Sequence, residues 1–429
     1  MMKKLFTLSS IALLAAAGLT ACDTGGGGAQ PAAVATLSSG VAVSGEITFW
    51  HAYSAGGGEI KALEKTIIPN FEKLHPGVKV KSVQISDKDM HQKLVTAAAG
   101  QSLPDVIRAD IVTVPELAKI GVLAPLSDAM PDFQSWANKM FPGPLATNKY
   151  NGKSWGLPLD TNTKVVIYND QALKANGVAS VPKTLDELKA AADKVGGKYI
   201  LAEGGSGGWQ MLPYIWSNGG DMTDPDVKKS AGYLNGPKAV AALQMIVDLY
   251  NKKAIPGVIL GGSGGTPTGD GLPKGMYPAI VDGPWTFPGM ATSYPNFQPK
   301  TSPMFSGDGG SVSVVGGEDI VMTQQSKNKE LAAEFIRYML SPDAQNAMGQ
   351  VGQLSAEKDM AEAMAAIQPY YAAFLEQLKT AKPRPATPQW AKVDDIFTKQ
   401  AQLALQGKLS VQEAMDAAVA QIDPLLAQG

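Results

Sequence analysis

The chain has 429 residues, a length for two or three domains, with 45% hydrophobic and 18% charged residues, so it can bury large cores. Its 37 Lys and Arg against 39 Asp and Glu leave a formal charge of -2, which argues against nucleic acid or an anionic membrane surface as the main partner. One cysteine and three histidines exclude an internal disulfide framework and a cysteine-rich zinc site.

The cysteine is informative by position. Lys3 and Lys4 precede an apolar stretch from Leu5 to Leu19, and Leu19-Thr20-Ala21-Cys22 follows. So short a stretch, ending in small residues, reads as a cleaved secretory signal over residues 1–21 and not as a spanning helix. Leu-x-Ala-Cys resembles a bacterial lipobox, which assigns Cys22 to lipidation; the alternative is an ordinary signal followed by a free cysteine. Residues 22–45, rich in Gly, Ala and Ser, read as a lipid-anchored flexible tether, so the folded part begins near Glu46.

From there strands and helices alternate. Ile47-Thr48-Phe49-Trp50 reads as a strand and Gly56-Gly57-Gly58 as a turn. Ile60, Leu63, Ile67, Phe71 and Leu74 mark one helix face, ended by His75-Pro76-Gly77. Val78 and Val80 begin a second strand, Asp89 to Ala99 a helix, and Leu103 to Ile107 a third strand. Such units imply a largely parallel sheet covered by helices. The grammar returns at Val165–Tyr168, and Thr184-Leu185-Asp186-Glu187 reads as a capping box. A helix starts at Pro237, a buried strand covers Pro278–Val281, and an amphipathic helix runs from Lys329 to Leu340. A second capping box, Ser410 to Glu413, opens the last helix. The fold class is therefore α/β, in two lobes of comparable size.

Enzyme machinery is hard to assemble. His51, His75 and His91 lack partners at metal or catalytic spacing and read as surface or turn residues, and no Gly-x-Ser-x-Gly elbow is present. The runs Gly204–Gly208 and Gly261–Gly265 lack a phosphate loop's Gly-Lys-Ser/Thr ending and read as flexible surface loops. No metal or cofactor is expected. Arginine is scarce (Arg108, Arg337 and Arg384), which tilts a ligand toward neutral and polyhydroxylated. Tryptophans beside carboxylates and amides suit a sugar, whose C–H face stacks on an aromatic plane while its hydroxyls donate to carboxylates. Trp50, Trp136 and Trp216 read equally well as core. Trp285 follows Asp282-Gly283-Pro284 just beyond a strand end, where ligands of open α/β sheets bind.

Together the ordered motifs Ile47–His51, Leu103-Pro104-Asp105-Val106, Tyr150–Lys153 with Gly156–Thr163, Asp282–Trp285, Gly316-Gly317 and Lys329–Phe335 resemble family 1 extracellular solute-binding proteins of ABC importers, the maltose-binding-protein-like group. The resemblance spans nearly the whole chain. It implies a two-lobed periplasmic-binding-protein-like fold with interleaved lobes and a hinge: residues 46–161 plus 316–365, and 162–315 plus 366–429. Carried over by position, the ligand residues are Trp50, His51, Tyr53, Ser54, Arg108, Asp110, Asp160, Asn162, Trp209, Asp282, Trp285, Gly317, Glu318 and Trp390. Arg108-Ala109-Asp110 departs from the aromatic of maltose-binding members, so maltose is not implied. The expected protein is a monomeric, exported, lipid-anchored receptor. It is not an enzyme; it passes a disaccharide or short oligosaccharide to ABC permease subunits and touches membrane only through its anchor. Alternatives are a glycerol-phosphodiester receptor of the same family and a secreted glycoside hydrolase.

Overall fold

In the computed structural model, which describes residues 43–54, 58–261 and 264–428, the first strand forms where apolar residues alternate, and others, such as Val165–Tyr168, are continuous, largely buried runs. β1 (Gly45–His51) turns Ile47, Phe49 and His51 into one core, while Trp50 packs half-buried on the other face of the sheet. The expected leader, Cys22 and nearly all of the tether lie outside the described residues, as do 55–57 and 262–263 in the glycine-rich segments. No described helix is long and apolar enough to cross a membrane.

β1 pairs in parallel with β2 (Val78–Gln84) and β3 (Val106–Asp110). The chain continues through β4 (Gly156–Asn162) and β5 (Val165–Tyr168), with β6 (Ala279–Asp282) and β7 (Lys300–Ser302) flanking β5 in a separate three-stranded sheet. β8 (Val314–Met322) then returns to the first sheet between β3 and β4, antiparallel to both, and also pairs in parallel with β9 (Lys382–Pro383). The largely parallel sheet expected from sequence is thus corrected. The first sheet is mixed and the second wholly antiparallel. Helices between strands do not fix direction when a strand such as β8 arrives after a long excursion through another core.

Two principal cores result. One holds Ile47, Phe49, Phe71, Leu157, Ile320 and Phe335, and the other Val166, Leu212, Trp216, Ile246, Phe397 and Ile422. The chain passes between them from β4 to β5 and again along β8, where Val314 belongs to one core and Ile320 to the other. Trp136 and Trp216 are core residues, at 7% and 2% exposure.

Several local expectations change. The helical segment Glu59–Ala62, Leu63–Ile67 and Ile68–Leu74 has a π-helical middle turn beside Pro69, whose ring cannot sit against a regular preceding turn. The wider turn shifts the apolar spacing, and Leu74 is exposed. Ser410 and Glu413 form a complete capping box. Thr184 caps Glu187 N–H, but the Glu187 carboxylate accepts from Lys183 N–H, one residue before the expected partner. The Gly204–Gly208 run is not a free surface loop. Ser206, Gly207 and Gly208 are buried, and Gly208 N–H donates to Asp394 Oδ1 at 2.6 Å where the helix Gly208–Ser217 begins.

Candidate functional site

Register creates the site. Glu318 on β8 lies opposite Asp110 on β3 and Asp160 on β4, so three carboxylates stand in a row across adjacent strands. Like charges directly opposed in a sheet are destabilising, and such a row needs cations. Gly317, at φ +124°, lets β8 approach β4 here; a Cβ would lie 2.4 Å from the Asp160 carbonyl oxygen. The ladder also breaks register between Glu318 and Asp319.

Arg108 supplies the first cation, two residues before Asp110 and on the same face. Its Nη2 lies 2.7 Å from Glu318 Oε2 and donates to Asp160 Oδ2 at 3.2 Å and Gln353 Oε1 at 3.1 Å. The guanidinium carbon sits 4.4 Å from the centre of the Tyr53 ring. Gln353 Nε2 in turn donates to Glu59 Oε1, and Ser54 N–H to Glu59 Oε2. One network therefore locks residues 54, 59, 108, 160, 318 and 353. Burial pushes Glu318 well above the usual carboxylate range; Arg108 opposes that push and Asp160 adds to it. Burial and then the Asp160 and Asp110 charges likewise raise Asp319.

Arg384 supplies the second cation. Its Nη2 donates to Asp110 Oδ1 at 3.2 Å, and its guanidinium carbon lies 5.1 Å from the Trp209 ring centre and 6.0 Å from that of Trp390. Trp209 and Trp285 face each other with ring centres 6.3 Å apart and planes tilted by 36°. Two glycines make room for these rings. A Cβ on Gly316 would meet Trp209 at 2.4 Å and Asn162 Oδ1 at 2.3 Å, and one on Gly283 would overlap Trp285 at 2.0 Å. The Asp-Gly-Pro-Trp motif thus folds its indole back over the glycine. Asp282 accepts from Thr268 Oγ1 and Gly283 N–H, and burial raises its carboxyl.

The structure therefore brings together Arg108, Asp110, Asp160 and Glu318 across three adjacent strands, and Trp209 beside Trp285. Asn162 and Gly317 lie where β4 and β8 cross between the cores. Ser54 is exposed at the border of the network. Four expected ligand residues are placed otherwise. His51 is fully buried and accepts from Tyr53 N–H, which leaves its Nε2 to donate to Ser82 Oγ; burial, then Arg108, lowers it to about 4, so it stays neutral. The reading of His51 as a surface histidine is corrected with it. Tyr53, at 1% exposure, is the floor under Arg108, and Trp390, at 4%, packs in the core against Gly208. Trp50 contributes to the core on the far face of the sheet.

Sequence reasoning missed Arg384, Glu59 and Gln353. The available signal for Arg384 was its place among only three arginines, between Pro383 and Pro385. Also unforeseen is a buried support beneath Asp282, in which Lys164 Nζ pairs with Glu203 Oε2 at 3.0 Å and Tyr214 Oη donates to Glu203 Oε1 at 2.7 Å. Among the described residues no three His, Cys, Asp or Glu side chains converge as a metal site. What the arrangement offers is an aromatic pair beside anchored hydrogen-bond acceptors, the equipment for holding a polyhydroxylated molecule without covalent chemistry.

The chain is similar to several known proteins. Over 317 residues the chain is 24% identical to the diacetylchitobiose binding protein DasA of Streptomyces coelicolor, covering 71% of this chain and 72% of that one. It is 25% identical over 315 residues to the arabinooligosaccharide-binding protein of Bacillus subtilis, covering 71% of each. The crystal structure of the GacH receptor of Streptomyces glaucescens, solved unliganded and with acarbose, superposes with a TM-score of 0.80 at 27% identity, over 90% of this chain and 99% of that one. That likeness establishes the two-lobed binding-protein fold. The model of the bacterial extracellular solute-binding proteins matches residues 66–375, more than half of the chain, and the chain belongs to that family of exported binding proteins, which are not enzymes.

Proposed function

We propose that this protein is the receptor of an ABC importer for a disaccharide or short oligosaccharide, anchored by lipid at Cys22 and working as a monomer. The observation that carries the reading is the Trp209–Trp285 pair beside the Asp110–Glu318–Asp160 row, an aromatic platform next to acceptors for hydroxyl groups. The names of the relatives, which specify chitobiose and arabinose oligomers, support it. Residues 46–161 with 316–365 form one lobe and 162–315 with 366–429 the other. The sugar bridges them and favours the closed state, which the permease subunits recognise. A phosphodiester ligand is disfavoured, because Arg108 and Arg384 are both already committed to carboxylates.

A thermal-shift screen of the purified chain against neutral oligosaccharides and glycerol phosphodiesters tests this, followed by calorimetry on the hits. The expected result is stabilisation by a neutral sugar, with Trp285→Ala weakening its affinity by about 10–100-fold. Stabilisation by phosphodiesters alone, or an affinity indifferent to Trp285→Ala, would overturn the assignment.

A further inference from the structure

Lys164 sits where the chain crosses from β4 to β5, with its side chain only 3% exposed. Burying an ammonium is costly, and an apolar residue of similar volume often packs in such a place at no loss. The charge therefore calls for a task. Register shows what surrounds it. Val165, the next residue, pairs with Asp282 across β5 and β6, and Ala202 bridges Ile280 on the other side of β6, which brings Glu203 to the same end of the sheet. Lys164 Nζ pairs with Glu203 Oε2 at 3.0 Å, its charge also acts on the Asp282 carboxylate, and Tyr214 Oη holds the other Glu203 oxygen. These two acids are the roots of the aromatic platform. Glu203 leads through Gly204–Gly207 into Trp209, and Asp282 opens the Asp-Gly-Pro turn that carries Trp285. The Lys164 backbone is tied to the second crossing, because Ser313 Oγ donates to its carbonyl oxygen at 2.7 Å, just before the Gly316 that makes room for Trp209. One residue thus joins both crossing strands to the supports of both rings.

We propose that Lys164 is a positioning residue for the sugar site: buried beneath it, the ammonium holds Glu203 and Asp282 together and so sets the spacing and tilt of Trp209 against Trp285. The inference rests on the reading of the chain as a sugar receptor. Lys164→Met keeps the reach of the side chain and removes its charge. Two indoles with ring centres 6.3 Å apart couple as an exciton pair in circular dichroism, and the part of the parent spectrum that Trp209→Phe abolishes is that couplet. In folded Lys164→Met, held well below its Tm, the couplet should largely disappear. Calorimetry on the full chain in detergent, with cellobiose, maltose, lactose and trehalose, should show the affinity of any that binds the parent falling about tenfold or more. Adding Glu203→Gln neutralises the buried partner as well, so the double variant should regain Tm but neither the couplet nor the affinity; it carries the same test if the single variant does not fold. A lysine that served stability alone would move Tm alone. A parental couplet or a parental affinity in the folded variants therefore overturns the positioning role and leaves the receptor reading intact. If none of the four sugars binds the parent, the couplet decides alone, and a blank across a wider sugar panel overturns both readings.

Discussion

Replacing Arg108 by methionine removes the cation from between Glu318 and Asp160 and leaves two carboxylates at adjacent strand positions with no counter-charge from that side. Arg108 and Asp160 side chains are each 5% exposed and Glu318 19%, so solvent screens the pairs little. Breaking a buried pair by deleting one partner costs about 3–5 kcal/mol. At about 2–4 °C per kcal/mol for domains of this size, Tm falls by roughly 6–20 °C. The loss depends on pH, with a definite sign. Glu318 already sits above the ordinary value of 4.5, and without Arg108 it rises further. Between the parent's folded-state value and the variant's higher one, the variant's folded state holds a proton that the parent's has released, so the variant's deficit grows as pH rises through that interval. Arg108→Met should therefore be more damaged at pH 7.5 than at pH 5, and adding Glu318→Gln should restore part of the loss. Denaturant unfolding at both pH values measures this. A variant within about 1 kcal/mol of the parent at pH 7.5, as for an exposed pair, or a deficit that ignores pH, would refute the reasoning.

Two further substitutions probe the second core and the platform. Burial pushes Glu203 up to about 6, against the opposing pull of Lys164 and Tyr214, so its contribution to stability falls from pH 4.5 to about 6 and levels off above. In Glu203→Gln that slope is lost and Lys164 is left without its anion, lowering stability by about 3–5 kcal/mol at neutral pH; unfolding across a pH series reads both, and an unchanged slope would contradict the account. Gly283→Ala places a methyl inside the space of the Trp285 ring. Calorimetry should then show a loss of sugar affinity comparable to that of Trp285→Ala, with full affinity meaning that the ring does not face the ligand.

Much was legible before any coordinates. Lys329–Met339 buries Leu331, Phe335 and Met339, and Val411–Leu426 buries Met415, Val419 and Ile422, because helical periodicity is local and each face needs only some apolar neighbour. The link between Asp282 and Trp285 was readable as well, since Asp-Gly-Pro restricts the backbone within four residues. Partnerships across long separations were not. Nothing at Arg384 in the sequence marks Asp110, 274 residues earlier, as its partner. Nor does the tryptophan count say that Trp216 and Trp390 enter a core while Trp209 stays half-buried over a glycine.

The sequence by itself determined the kind of molecule: two α/β lobes, few arginines, tryptophans set among carboxylates, and a family resemblance carried by ordered motifs. Tertiary structure decided which of those residues form the site. The direction and register of β8 set Glu318 between Asp110 and Asp160, made Arg108 the counter-ion of the row, and turned His51 and Tyr53 into its support. The physical reason is that strand direction and register are fixed by long-range pairing, in which a shift of one residue exchanges the faces of every side chain, whereas helix periodicity and turn chemistry are fixed within a few residues.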